Sequence, residues 1–176
     1  NYQYVYVASE KLDNNYRCYS HYNNNGVLLD EIYVMAYEPS NISNKLRSLA
    51  GQTILQNLSG VTMRTYAQAN GNGWDFLDLG TLQLIQMLFI LMFKSRNSQA
   101  TAGAGVVYSS NSYTTYPTTG GTKDKGMFYS LCNDPTSANA TTPIKTFGIE
   151  NLWGNRYKWI NGLKSYQTTI YYKLCN

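Results

Sequence analysis

Side chains able to act as nucleophile, base or metal ligand are few and scattered in this chain. The single histidine, His21, follows Cys18 by three residues in a stretch rich in Tyr and Asn. A thiol becomes a nucleophile when a base lies within reach, but no further motif surrounds this pair. It reads as a polar loop in solvent. Cys132 and Cys175 lie far apart, and no two of the three cysteines form Cys-x-x-Cys. A zinc site takes four ligands at workable spacing, and these residues do not supply them. One disulfide with one free thiol, and three reduced thiols, both remain open. Paired carboxylates are the mark of glycoside hydrolysis. Asp75 and Asp78 fall one helical turn apart, and Asp30 adjoins Glu31. The first pair reads as helix N-terminal capping. The second splits its faces at the start of a strand. Glu150 is the best placed isolated acid, and its expected task is to bond turn amides. The expectation is therefore no catalytic residue, no metal and no cofactor.

The elements that would hold these residues can be read from periodicity and punctuation. Tyr2–Ala8 and Asp30–Tyr37 are runs of aromatic and β-branched residues and predict strands, the second closed by Pro39. Residues 40–59 read as a loop in which Leu46 and Leu49 make one helical turn. A short helix is expected over Met63–Asn70, with Thr62 as N-cap and Gly71 as its left-handed stop. A longer helix runs from Asp75 or Asp78 to Lys94, its acids at the start and its base at the end. Its apolar residues go all round, which predicts contact with the core on several sides. The apolar stretch Leu82–Phe93 is shorter than the roughly 20 residues that span a bilayer. Residues 98–126 read as loop or irregular β structure, Met127–Cys132 as a strand, 133–143 as a turn cluster and Tyr166–Leu174 as a closing strand. No repeat or linker divides the chain, so one domain over 1–176 is expected.

Composition narrows the class. Charged residues are only 14% of the chain while Tyr occurs 17 times, and Asn, Ser, Thr and Gly are plentiful. Paratopes use this chemistry, because Tyr gives contact area at low entropy cost and Ser, Gly and Asn give adaptable hydrogen bonds. A β-rich domain from an AT-rich genome would have the same composition, and composition leaves the two readings open. The net charge of +4 is spread without a basic stripe, which speaks against a nucleic-acid partner. The chain opens without Met or a signal pattern, so a processed protein or a piece of a longer one is expected. The three Asn-x-Ser/Thr sequons, at Asn41, Asn57 and Asn139, read as chance in an Asn-rich chain.

The most informative segment is Phe147–Leu163, FGIENLWGNRYKWINGL. Gly154 permits a turn that a side chain would block, and Asn155 tolerates left-handed geometry. Tyr157 and Trp159 alternate with Lys158, the pattern of a strand with one buried face. The run Gly154-Asn155-Arg156-Tyr157-Lys158-Trp159 resembles the Gly-Asn-x-aromatic-Glu-Trp mark of the formylglycine-generating-enzyme-like superfamily, a branch of the C-type-lectin fold. The ordered series DEIYVMAYE, KLRSLAG, MRTYAQANGNGWDFLD, LQLIQMLFILMFKSRNSQ and GIENLWGN also resembles phage and prophage structural proteins. The resemblance covers most of the chain, roughly from Asp30 to Gly162. One position departs from it: Lys158 stands where the superfamily has an acid that helps hold a metal. An ammonium repels a divalent ion, which argues against an inherited metal site.

What the resemblance implies is an α+β, C-type-lectin-like domain: two helices packed on small antiparallel sheets, with long irregular loops. In such folds irregular loops of the second half form the binding face, which points to Tyr108, Asn111, Tyr113 and Tyr116, with Arg156 and Lys158 joining beside the aromatic rings. The implied protein is a virion surface domain of a tail, spike or head fibre that binds a host-surface glycan or protein. It would contact other virion subunits, form a homo-oligomer, expected as a trimer by analogy, and insert into no membrane. A decoration module that only cements the particle is the second reading. A formylglycine-type oxidase is the third, disfavoured because neither Cys132 nor Cys175 lies in a setting that activates a thiolate.

Overall fold

The computed structural model describes residues 10, 12–14, 18–23, 25–106, 118–129 and 143–172. Its elements are helices and small antiparallel hairpins, an α+β composition. A 3₁₀ turn at Tyr19–His21 precedes the hairpin β1 (Ser40–Ile42) and β2 (Lys45–Arg47). Helices α1 (Gly60–Gln68), α2 (Leu79–Phe93) and α3 (Ser98–Ala102) follow. Two further hairpins close the described chain: β3 (Lys145–Thr146) with β4 (Ile149–Glu150), and β5 (Leu163–Tyr166) with β6 (Thr169–Tyr172).

Each helix starts where a short polar side chain satisfies an amide that has no partner within the helix. Ser59 accepts from Thr62 N, Asp78 from Thr81 N, and Asn97 from Ala100 N. Thr62 is thus the residue capped, not the cap, and α1 begins three residues earlier than its sequence suggests. Lys94 ends α2 in the left-handed conformation. Helix α3 lies in the stretch expected to be loop.

Residues 40–47 form a hairpin, not a loop with a helical turn. Ser43 and Asn44 both take positive φ, the backbone of the two-residue turn that matches strand twist, and Leu46 is buried in the core. Residues 30–37 form no strand. Residues 36–39 are instead pinned one by one: Ala36 O accepts from Glu150 N at 2.8 Å, Tyr37 N donates to Ser48 Oγ at 2.8 Å, and Pro39 O accepts from Leu55 N at 2.9 Å. Of the strand expected over Met127–Cys132, Tyr129 pairs with Lys145, and residues 130–132 lie outside the described residues. Within the closing strand expected over Tyr166–Leu174, Thr169–Tyr172 is strand β6, paired with β5 in a hairpin; residues 173 and 174, like Tyr2–Ala8, lie outside the described residues.

The interior carries as much polar as apolar material. Leu46, Ile54, Ala67, Ile85, Phe89 and Ile144 are buried, and so are Glu38, Thr119, Thr122, Lys145, Glu150 and Asn151. Helix α2 buries only one stripe, Thr81, Ile85 and Phe89, while Met87, Leu88, Ile90, Leu91 and Met92 stay exposed. The expectation that the core surrounds α2 fails, because what packs on it are the 3₁₀ turn at one end and an aromatic row at the other. Gly80 lets the backbone of Tyr19 and Ser20 approach: a Cβ there would sit 3.2 Å from Ser20 N. Phe89 stands edge-on to Trp153 and lies 4.5 Å from Phe93, which in turn meets Phe128.

Candidate binding surface

The Trp–Gly–Asn turn is docked on residues 103–106 by backbone as much as by side chain. Trp153 Nε1 donates to Gly103 O at 3.0 Å. Gly154 has φ +78°, and a Cβ on it would lie 3.1 Å from Val106 O and 3.2 Å from Ala104 O. Asn155 is also left-handed, and its N–H donates to Val106 O at 2.6 Å. Glycine at 154 therefore answers two demands at once, dihedral and space.

Beyond that turn the chain meets a buried carboxylate. The side chain of Glu38 keeps only 4% of its surface accessible. It accepts from Asn151 Nδ2 at 2.9 Å and from Asn155 Nδ2, and Lys158 Nζ stands 3.8 Å away. Burial pushes the Lys158 ammonium below the usual lysine range, and Glu38 opposes that push. The alternation expected in this segment does not appear: Tyr157, Lys158 and Trp159 are all exposed, and Lys158 approaches Glu38 with 31% of its side-chain surface still accessible. Tyr157 is fully exposed and Trp159 is 53% exposed. Trp159 keeps part of its burial by lying against α1, where a Cβ on Gly60 would be 3.4 Å from its ring.

A second carboxylate anchors the neighbouring loop. Glu150 accepts from Gly120 N, Thr122 N and Thr122 Oγ1 at 2.7, 2.7 and 2.6 Å, as its sequence setting suggests. Lys145, its register partner across β3–β4, donates to the carbonyls of Thr122 and Lys125. Thr119 Oγ1 donates to Leu49 O and accepts from Gln52 N. The two chain ends that lead into residues 107–117 are thus both fixed, Val106 on the Trp–Gly–Asn turn and Thr119 on residues 49–52.

Of the residues expected to bind ligand, Tyr108, Asn111, Tyr113 and Tyr116 lie outside the described residues. Arg156 is half-buried and donates Nη1 to Gln56 Oε1. Sequence reasoning missed Glu38 and the exposure of Tyr157 and Trp159. The one signal was Lys158 itself, a cation in an aromatic run that calls for a carboxylate without saying which.

The other candidates resolve locally. Cys18 Sγ lies 3.3 Å from His21 Nδ1, and Ser20 Oγ lies 3.0 Å from the same nitrogen. One tight turn brings any such spacing together, so the contact follows from local geometry. Cys132 and Cys175 lie outside the described residues. Asp78 caps α2, while Asp75 pairs with Arg64 at 3.1 Å, so the two carboxylates serve separate structural partners. Among the described residues, no three His, Cys, Asp or Glu side chains gather into a group that could hold a metal. No helix among them is long and apolar enough to cross a membrane. Compared with family models, curated proteins and solved structures, the chain matches none.

Proposed function

We propose that this chain is a non-enzymatic recognition domain with a C-type-lectin-like fold, carried on the surface of a phage particle, that binds a host-surface glycan or protein. The observation that carries the reading is the pair Tyr157 and Trp159, exposed on a segment whose backbone is anchored on both sides. Exposed rings on a fixed frame lose little freedom on binding, which favours recognition. The resemblance of the Gly154–Trp159 run supports the fold, and the Tyr-rich composition supports the role. The segment with Tyr108, Asn111, Tyr113 and Tyr116, expected from the sequence to bind, follows directly on Val106, which the same turn holds.

The test is binding of the whole chain to a glycan array and to host cell envelopes. Wild type should bind, and Tyr157→Ala with Trp159→Ala should weaken binding by ten-fold or more while circular dichroism stays unchanged. Unchanged binding by the folded double variant, or no binding by wild type to either target, overturns the reading. The second reading, a module that only decorates or cements the particle as a homo-oligomer, is favoured by one other observation. Helix α2 and the β5–β6 hairpin expose Met87, Ile90, Leu91, Ile170 and Tyr172, and large apolar patches mark partners.

A further inference from the structure

We infer that Trp159, Arg64, Asp75 and Asn161 form a binding subsite for a neutral saccharide. The ligand class rests on the proposed recognition role, whereas the arrangement of the four residues stands apart from it. Trp159 lies face-on against α1. A Cβ on Gly60 would be 3.4, 3.4 and 3.6 Å from three atoms of its six-membered ring, a near-equality that only a point above the ring plane can have. The residue is nonetheless 53% exposed, so the opposite face of the indole is open. One turn further along the same side of α1, about 6 Å on, Arg64 donates Nη2 to Asn161 Oδ1 at 2.8 Å and Nε to Asp75 Oδ1 at 3.1 Å. The segment 159–161 thus follows α1 and brings the open ring beside three planar polar groups. Those groups are already held in place. The guanidinium lies over the Phe76 ring at 5.1 Å, Asp75 Oδ1 also accepts from Phe76 N, and the Asn161 backbone bonds to Leu77 and Leu79. Each group keeps one function unspent. Asp75 Oδ2, Arg64 Nη1 and Asn161 Nδ2 form no hydrogen bond among the described residues, and all three atoms reach solvent. One acceptor and two donors beside an aromatic face suit a pyranose. Its hydroxyls both donate and accept, and its slightly positive C–H bonds meet the negative face of the ring. A few placed polar groups on an apolar base fix a ligand's orientation, and holding them beforehand lowers the cost of binding. Arg64 and Asp75 already neutralise each other, so the subsite favours a neutral sugar over an acidic one.

The readout is saturation-transfer difference NMR of the whole chain with free glucose, galactose, mannose, N-acetylglucosamine and the acidic sugar N-acetylneuraminic acid. At least one neutral sugar should bind at millimolar concentration, with its ring C–H protons the most strongly saturated, and the acidic sugar should bind more weakly than that one. Trp159→Ala should weaken the neutral sugar at least about ten-fold, and Trp159→Phe, which keeps an aromatic face, should restore part of the loss. Asp75→Asn keeps an acceptor for Arg64 and Phe76 but turns the unspent acceptor into a donor, and it should weaken binding at least about five-fold while circular dichroism stays unchanged. If Asp75→Asn does not fold, Trp159→Ala against Trp159→Phe decides. No binding of any of the four neutral sugars, a preference for the acidic one, or undiminished binding by folded Trp159→Ala or Asp75→Asn overturns the inference. A chain that binds host envelopes but none of these sugars would sink the saccharide subsite alone, while a chain that binds a neutral sugar through these residues but no host envelope would sink the host-recognition role alone.

Discussion

Two regions of this molecule invert the usual arrangement of a small domain. Around Glu38 and Glu150 the interior is polar, and the oxygens of these two carboxylates meet amides, a hydroxyl and an ammonium. Along α2 and the β5–β6 hairpin the surface is apolar, and all eight strand residues of that hairpin are exposed. The first region joins segments distant in sequence through directional bonds. The second offers area without direction. Specificity of shape and capacity for contact are thus carried by different parts of the chain, which suits a frame that holds one face still while presenting another.

The contrast makes graded predictions. The largest effect should come from Glu150→Ala, which strands the amides of Gly120 and Thr122 in the interior and leaves Lys145 without its cross-strand acid. A loss of about 3–5 kcal/mol is expected by urea denaturation, and a loss below 1 kcal/mol would show that water replaces the carboxylate. Gly154→Ala should cost about 2 kcal/mol, since alanine at positive φ is strained and its methyl would crowd Val106 O. Asp78→Ala should cost about 1 kcal/mol as a lost N-cap, read as a lower thermal midpoint. Ile90→Gln on the outer side of α2 should change stability by no more than about 0.5 kcal/mol. A large loss there would mean that the helix face is covered, and the contrast between the two regions would dissolve.

The smallest effect concerns alkaline pH. Lys158 has a folded pKa below its ordinary value, so the unfolded chain binds this proton more tightly. Between the folded value and the ordinary lysine value, the contribution of this group to stability therefore rises with pH. Lys158→Met should lack that rise, which is measured as the difference between the two denaturation–pH curves.

Local chemistry was legible where one residue and its near neighbours suffice. Asp78 and Lys94 bound α2 as their charges suggest, Glu150 bonds turn amides, and Gly154 needs the freedom of glycine. Residues 30–37 look like a strand by propensity yet meet no partner strand, since pairing is a property of two segments. Leu46 has helix-compatible neighbours but is claimed by a hairpin whose turn depends on Ser43 and Asn44. The contact between Lys158 and Glu38 escaped for a similar reason: a cation calls for an acid, and only the tertiary fold says which one.

The sequence by itself determined the caps and the turns, because each depends on dihedral preference and bonds reaching a few residues along the chain. The tertiary structure alone decided which acid Lys158 meets and which faces of α2 are left open. Those outcomes depend on a carboxylate more than a hundred residues away and on the absence of a packing partner among the described residues, and neither is written in any local window.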